Sequence, residues 1–338
     1  MSKKVRRILS LIFAFSMIAC IFAGCTTTPV NEESSSGAEA VTGKVYTIGI
    51  CQLVQHNAID DSAKGFTDAL REKLGNNVEF DIQNAAGDSS TCSTIINQFV
   101  SSKVDLIMTN TTSALQTAIS ATADIPIVAT SITDFATALE ADEWNGCTGI
   151  NVTGASDLMP IPTQAAMFSE LLPEAESVGI VYCSSEPNSK YQVEMISAEF
   201  DKLSIAYNVY TVADTNEVAA VVTQACSEND ALYIPTDNTL VSATATIDEI
   251  AAFSKTPVIT ADEGSAAVCA VATLSVNYYD IGYKAGEMAY DILVNGKDPA
   301  EMQIEYSANP TKKYIAANCQ KFGITVPADY EELIVEAK

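Results

Sequence analysis

Two stretches of this chain repeat the same order of strand, polar turn and helix. In each, at residues 104–114 and 229–243, an Asp precedes an apolar run that ends in hydroxyl and amide residues and then passes into helical spacing. Each stretch is preceded by a Gly-containing strand and followed by a Pro-containing strand, and corresponding positions lie about 130 residues apart. The repeat predicts an α/β fold of two similar Rossmann-like lobes with parallel sheets, whose strand ends meet at a cleft.

The predicted lobes are not continuous in sequence. Lobe 1 comprises residues 44–152 plus 277–305, and lobe 2 comprises residues 153–276 plus 306–338. A helix beginning near Asn277 presents an apolar face that suits packing back on lobe 1, so we expect three chain crossings that act as a hinge. We also expect a short strand at 147–150 and a short C-terminal helix after Pro327.

The amino terminus has the pattern of an export signal. Basic residues at positions 3–7 precede an apolar run from Ile8 to Ala23, followed by Gly24-Cys25. Residues 22–25 resemble a bacterial lipobox, so residues 1–24 are predicted to be a lipoprotein signal peptide and Cys25 the lipidated residue. Residues 25–43, rich in Thr, Ser, Glu and Gly, are predicted to be a flexible tether. The predicted protein is therefore extracytoplasmic and anchored to the cell membrane by lipid.

Composition excludes several other classes of function. The chain carries 18 Lys and Arg against 43 Asp and Glu, a net charge of −25, which repels nucleic acid. The cysteines after Cys25 are dispersed and form no C-x-x-C pair, so neither a disulfide framework nor a metal site is predicted. The one histidine, His56, is the single candidate for a catalytic base, and no phosphate-binding or hydrolase motif is present. We therefore predict a monomeric binding protein without a cofactor, not an enzyme.

Polar residues at the predicted strand ends are candidate ligand contacts. Hydroxyls at Thr112, Thr130 and Ser131 could bind a carboxylate, whereas Asp237 and Asp262 could hold an ammonium group. This arrangement suits an α-amino acid zwitterion. Asp237 has an alternative role as a helix N-cap, and His56 lies either in the cleft or on the surface.

Several stretches resemble one known family. They are Gly49–His56, residues 83–88, residues 182–189, the Pro-Thr-Asp-Asn stretch within 233–243, and residues 280–288. These are similar to the substrate-binding proteins of tryptophan/tyrosine-type ABC importers over roughly residues 44–323. The resemblance implies a type I periplasmic-binding-protein fold, closure about a hinge, and delivery of an amino acid, expected to be aromatic, to a permease and its ATPase. Gln55 and Asn57 stand where members of the family often have Glu and Pro.

The resemblance also implies pocket residues by position: Thr112, Thr130, Ser131, Ser185, Asn188, Ser189, Asp237, Asn238 and Asp262. Three alternatives remain open at this stage. The lobes could report a ligand to a membrane signalling protein, the solute could be a nucleoside or another small polar molecule, or His56 could serve an exported enzyme.

Overall fold

The computed structural model describes residues 43–307 and 310–335, and its first lobe is built on a six-stranded sheet. The order of the strands is β2-β1-β3-β4-β5-β11, and all neighbouring pairs are parallel. The strands are β1 Tyr46–Gln52, β2 Val78–Asn84, β3 Leu106–Asn110, β4 Ile127–Ile132, β5 Val152–Ser156 and β11 Glu305–Tyr306.

The second lobe is built on a seven-stranded sheet in the order β7-β6-β8-β9-β10-β12-β13. Its first five strands are parallel and repeat the order found in the first lobe, while β12 runs antiparallel to β10. The predicted α/β fold of two similar lobes with parallel sheets is thereby confirmed. The strands are β6 Ser177–Cys183, β7 Ala206–Val212, β8 Ala231–Ile234, β9 Val258–Thr260, β10 Ala272–Ser275, β12 Thr311–Tyr314 and β13 Glu331–Glu332.

Helices flank both sheets. Those of the first lobe are α1 Asn57–Leu74, α2 Ser89–Ser102, α3 Thr112–Ala121, α4 Phe135–Ala138 and α11 Tyr278–Leu293. Those of the second lobe are α5 Ile161–Leu171, α6 Pro187–Leu203, α7 Val218–Glu228, α8 Asn238–Val241, α9 Thr244–Ser254, α10 Glu263–Cys269 and α12 Ala316–Phe322.

Helix α11 returns to the first lobe and packs tightly against α1. Glycines make this close approach possible, because a Cβ built at Gly282 would lie 1.9 Å from the backbone oxygen of Ser62, and one at Gly65 would lie 2.0 Å from that of Tyr279. The apolar face predicted for this helix is buried, and it consists of Ile281, Ala285, Met288, Ala289 and Ile292. Helices α1 and α11 therefore pack as one closely spaced pair against the first sheet.

The chain passes between the two sheets three times: after β5, after β10 and after β11. Strand β5 belongs to the first sheet and extends to Ser156. The predicted boundary between the lobes, at residues 152 and 153, therefore falls at the start of this strand. Strand β11 likewise places Tyr306 in the first sheet.

Two local predictions were wrong. Residues 147–150 contribute only an isolated bridge, between Cys147 and Gln303, and the strand lies at Val152–Ser156 instead. The segment after Pro327 contains no helix within its described residues; it adds strand β13 beside β12. Both differences arise from pairing with distant strands, which local propensity does not register.

The predicted signal peptide, most of the tether and Cys25 lie outside the described residues. Within residues 43–307 and 310–335, no helix has the length and apolar character needed to cross a membrane.

Candidate functional site

A cavity lies between the two lobes, at the carboxyl ends of the central strands of both sheets. This interlobe cavity has about 370 Å³ of space unfilled by atoms, counting its mouth. Its lining residues come from both lobes and from the crossing segments: His56, Ile59, Thr112, Ser131, Thr133, Asp157, Asn188, Thr236, Asp237, Asn238, Val241, Asp262 and Tyr278. Ligand sites of α/β sheets occur at this position, outside the carboxyl ends of the strands.

The structure brings seven of the ten predicted ligand-binding residues to the cavity wall: His56, Thr112, Ser131, Asn188, Asp237, Asn238 and Asp262. The other three do not line it. Thr130 is fully buried in β4, Ser189 is fully buried and donates a hydrogen bond to the backbone oxygen of Thr236, and Ser185 is exposed beside the Cys183 thiol.

On the wall formed by the first lobe, hydroxyl groups are held by unusual backbone conformations. Ser131 has a φ of 57°, at an irregularity in the pairing of β4 with β5, and Thr111, the N-cap of α3, has a φ of 97°. Such conformations cost about 1–3 kcal/mol each for residues other than glycine and concentrate at functional sites. The Ser131 hydroxyl lies 3.3 Å from that of Ser62, which also accepts a hydrogen bond from Asn110. Ser131 is the donor of this bond, because Ser62 donates its own proton to the backbone oxygen of Ile59. Ser131 lines the cavity next to Thr112 at the start of α3.

On the wall formed by the second lobe, both carboxylate oxygens of Asp237 accept hydrogen bonds from backbone N–H groups. One of its carboxylate oxygens accepts hydrogen bonds from the N–H groups of Thr239 and Leu240, and the other from the N–H of Cys183 at 2.7 Å. Of the two roles left open by the sequence, the structure shows N-capping of α8. Binding of a ligand by Asp237 stays a prediction.

A buried carboxylate that the sequence analysis did not single out supports the same wall. Glu186 accepts hydrogen bonds from the backbone N–H and side-chain amide of Asn238, from Thr239, and from the amide of Asn188. Glu186 therefore orients two lining residues. Burial, together with repulsion from Glu186, raises the pKa of Asp237 to about 7.

Asp262 differs from Asp237 in having a free oxygen. Its Oδ1 caps α10 by accepting from the N–H of Ser265 at 2.8 Å, while Oδ2 is buried and has no partner among the described residues. Asp262 is only 3% exposed, so this unpaired carboxylate oxygen faces a site from which bulk water is largely excluded.

Asp157 is a second such carboxylate, and the sequence analysis missed it. It follows β5 directly, is 2% exposed, and accepts a hydrogen bond from the Tyr278 hydroxyl at 3.0 Å through Oδ2. Its Oδ1 has no partner within the described chain. Burial raises its pKa to about 6, although the hydrogen bond from Tyr278 acts in the opposite direction. The signal was present in the sequence, because Asp157 occupies a strand end once β5 is placed correctly.

The electrostatics of the cavity favour a ligand with a positive group. Three Asp residues line it, and its described lining includes no Lys or Arg. Burial lowers the pKa of His56, with the attraction of Asp262 acting against this effect, so the imidazole does not offset the carboxylates at neutral pH.

Five buried polar atoms around the cavity find no hydrogen-bond partner among the described residues: His56 Nδ1, Thr112 Oγ1, Asp157 Oδ1, Asn188 Oδ1 and Asp262 Oδ2. They come from both lobes. Each such group left unpaired costs about 1–3 kcal/mol, and a concentration of them at one place requires an explanation. The arrangement offers acceptors for an ammonium group and a hydroxyl for a carboxylate. No group of three or more His, Cys, Asp or Glu within the described residues could hold a metal ion.

Comparison with known proteins gives concordant matches. The model of the family described as "ABC transporter substrate binding protein" matches residues 47–338. A "Tyrosine-binding protein" from Clostridioides difficile is 35% identical over 306 residues, which is 89% of this chain and 88% of that protein.

Two solved structures are related at similar identity. One is an ABC domain from Streptococcus pneumonia in complex with L-Trp, with 31% identity, a TM-score of 0.82, and coverage of 86% of this chain and 100% of that chain. The other is the ligand-free, open structure of a substrate-binding protein with adhesive properties from Clostridium difficile, with 32% identity, a TM-score of 0.67 and the same coverage. The TM-score is thus higher for the relative solved with L-Trp than for the ligand-free, open one.

Proposed function

The chain belongs to the family of ABC transporter substrate-binding proteins, which are extracytoplasmic, and we propose that it captures an aromatic amino acid in the interlobe cavity. It delivers this ligand to an ABC permease and its ATPase. The fold is the type I periplasmic-binding-protein fold of its structural relatives. The observation that carries the ligand class is the set of five unpaired polar atoms, contributed by both lobes, around one acidic cavity.

The ammonium group of the ligand is bound by the carboxylates. An ammonium has three N–H donors, and the unpaired acceptors Asp157 Oδ1, Asp262 Oδ2 and Asn188 Oδ1 supply three partners. Hydrogen bonds between charged groups are about twice as strong as neutral ones, and more so where water is excluded. Asp237, whose oxygens are already occupied, supports the wall.

The carboxylate of the ligand is bound by the first lobe. No Arg or Lys lies in the described lining, so the carboxylate is bound by neutral donors: the hydroxyl of Thr112 and the backbone N–H groups of the first turn of α3, with Ser131 beside them. The ten-residue helix α3 directs the positive end of its dipole at this point.

The aromatic side chain is inferred from the relatives and from the remaining lining. One relative is named for tyrosine and another was solved with L-Trp, and this chain matches both over most of its length. Ile59, Val241 and the ring of Tyr278 provide the apolar part of the cavity wall. An aromatic ring adds a large apolar area to bury there.

Closure of the lobes accompanies binding. Ligand groups contacted by both lobes favour the shut form, because each lobe alone provides only part of the partners. The greater similarity to the L-Trp complex than to the open relative supports this movement.

A lipid on Cys25 holds the mature protein at the membrane surface, as a monomer. Metabolic labelling with an alkyne-tagged fatty acid tests the anchor. The full-length protein is expected to be labelled and Cys25→Ser unlabelled, with Cys20→Ser as the matched control that keeps the label. Equal labelling of Cys25→Ser would contradict the assignment.

A thermal-shift screen against the twenty L-amino acids, several nucleosides and several sugars tests the function. A ligand at a hundredfold excess over its Kd stabilises the folded protein by about 2.7 kcal/mol. We expect a rise of at least 5 °C, on the order of 2–4 °C per kcal/mol, with L-Tyr, L-Trp or L-Phe. Tyramine and 3-(4-hydroxyphenyl)propanoate, which lack one charged group each, are the controls and should give small shifts. The ligand should be recovered chemically unchanged, since we propose a binding protein. A flat response to all amino acids would reject the ligand class.

A further inference from the structure

Two cysteines far apart in sequence meet inside the first lobe. Cys51 is in β1 and Cys92 in α2, and their sulfur atoms lie 3.5 Å apart. Both side chains are buried, at 0% and 1% exposure, in an apolar cluster that includes Ile96 and Phe99. Within the described residues this is the one hydrogen bond between two sulfur atoms; Cys183, Cys269 and Cys319 contact oxygen atoms instead.

We propose that Cys51 and Cys92 form a modification site, joined as a disulfide when the chain folds in the presence of an oxidised low-molecular-weight disulfide. A disulfide bond is about 2.05 Å long, so the sulfurs have to approach by about 1.5 Å, a movement within reach of side-chain rotation. Proteins of this family work outside the cytoplasm, where disulfides persist more readily than inside the cell.

The chemistry needs one co-reactant, which is a disulfide such as glutathione disulfide. The thiolate of either cysteine, for example Cys92, attacks one sulfur of the glutathione disulfide and releases one glutathione as its thiolate. The Cys51 sulfur, after losing its proton, then attacks the Cys92 sulfur of the mixed disulfide and releases the second glutathione. Two protein thiols are oxidised, one disulfide is reduced, and two protons pass to the released thiolates or to water.

The two thiols differ once the lobe has folded. The hydrogen bond from Cys51 lowers the pKa of Cys92 to about 7, whereas the same contact and burial raise the pKa of Cys51. A thiolate is the nucleophile in exchange, and before the lobe has folded, when the contact that causes these shifts is absent, either cysteine can attack first. Because both are buried in the folded lobe, the reaction takes place during folding, while the thiols are accessible.

The crosslink would close a loop that contains α1 and β2 and join the carboxyl end of β1 to α2. Gln52, the next residue in β1, holds Asp60 of α1 through a 3.0 Å hydrogen bond, and α1 begins beside His56. The disulfide therefore fixes the strand end that leads into the interlobe cavity.

The test is refolding of the full-length protein from urea with glutathione disulfide, followed by alkylation of remaining thiols and peptide mapping by mass spectrometry. We expect the loss of two thiols, a peptide pair linking Cys51 to Cys92, and a melting temperature higher on the order of 5 °C than that of the protein reduced with dithiothreitol.

Cys226→Ser, which removes a buried cysteine of the other lobe, is the matched control and should form the same crosslink. Cys51→Ser and Cys92→Ser should form no intramolecular disulfide. If either serine variant fails to fold, the map of the wild-type protein decides by itself. A crosslink between other cysteines, or a wild-type chain that keeps all its thiols, would overturn the proposal.

Discussion

Replacing Asp262 by Asn separates the two tasks that this residue performs. Oδ1 of Asp262 caps α10 through the N–H of Ser265, and Asn is as good an N-cap as Asp. Oδ2 has no partner among the described residues and faces the interlobe cavity. In Asp262→Asn, an N–H₂ group can take the place of this oxygen, so an acceptor for the ligand ammonium becomes a donor.

The expected loss of affinity follows from this exchange. A hydrogen bond to a charged partner contributes about 1.5–3 kcal/mol, and tenfold in Kd corresponds to about 1.4 kcal/mol. The Kd for the aromatic amino acid should therefore rise by about 10- to 150-fold. Stability of the unliganded protein should change by less than about 1 kcal/mol, because the cap is retained.

Isothermal titration calorimetry at pH 7 measures the change, with urea unfolding of the unliganded protein alongside. Asp88→Asn is the matched control, since Asp88 also caps a helix, α2, by accepting from the N–H of Thr91, but lies outside the cavity lining. A Kd within threefold of wild type for Asp262→Asn would refute the assignment of the ammonium to this carboxylate.

Three further predictions concern stability, each measured by urea unfolding without ligand. Asp237→Ala should lower the unfolding free energy by about 2–4 kcal/mol, because the buried N–H groups of Cys183 and Leu240 lose their acceptor; an unchanged value would deny the capping role. For Asp157, the folded-state pKa of about 6 exceeds the ordinary 3.8, so between these values the folded protein holds a proton that the unfolded chain has released, and wild-type stability falls as pH rises. The unfolding free energy of Asp157→Asn, relative to that of wild type, should therefore increase by up to about 3 kcal/mol between pH 3.5 and 7. A difference independent of pH would contradict this. Gly282→Ala should cost about 1–3 kcal/mol by forcing α1 and α11 apart, whereas Gly296→Asn, a surface change at a φ of 68°, should cost little; equal costs would be inconsistent with the close packing.

The architecture was predictable because the sequence contains the same pattern twice. Strand, turn and helix recur with a spacing of about 130 residues, and both sheets accordingly share one strand order. The strand-end rule, together with the family resemblance that supplied Asn188 and Asn238, then led to seven predicted residues that line one cavity. Helix α11 was predictable as well, since Asn277 supplies a recognisable cap and the apolar spacing is regular.

The residues that were missed depend on contacts between distant parts of the chain. Asp157 was hidden because Val152–Ser156 has little apolar periodicity, and its strand is specified by pairing with β4 and β11. Glu186 looks like an ordinary helix start before Pro187, yet its carboxylate holds residues about fifty positions away. The left-handed backbone conformation of Ser131 could not be predicted, because a serine in the sequence does not indicate a positive φ. The hydrogen bond that the second oxygen of Asp237 accepts from the N–H of Cys183 could not be predicted, because only the fold brings that strand within reach.

A crystal structure of the protein with L-tyrosine tests the central claim most directly. The account predicts the amino acid between the lobes, with its ammonium within hydrogen-bonding distance of Asp262 Oδ2 and Asp157 Oδ1 and its carboxylate beside Thr112 and Ser131. A ligand bound outside the interlobe cavity, or one with its carboxylate against the two aspartates, would contradict it.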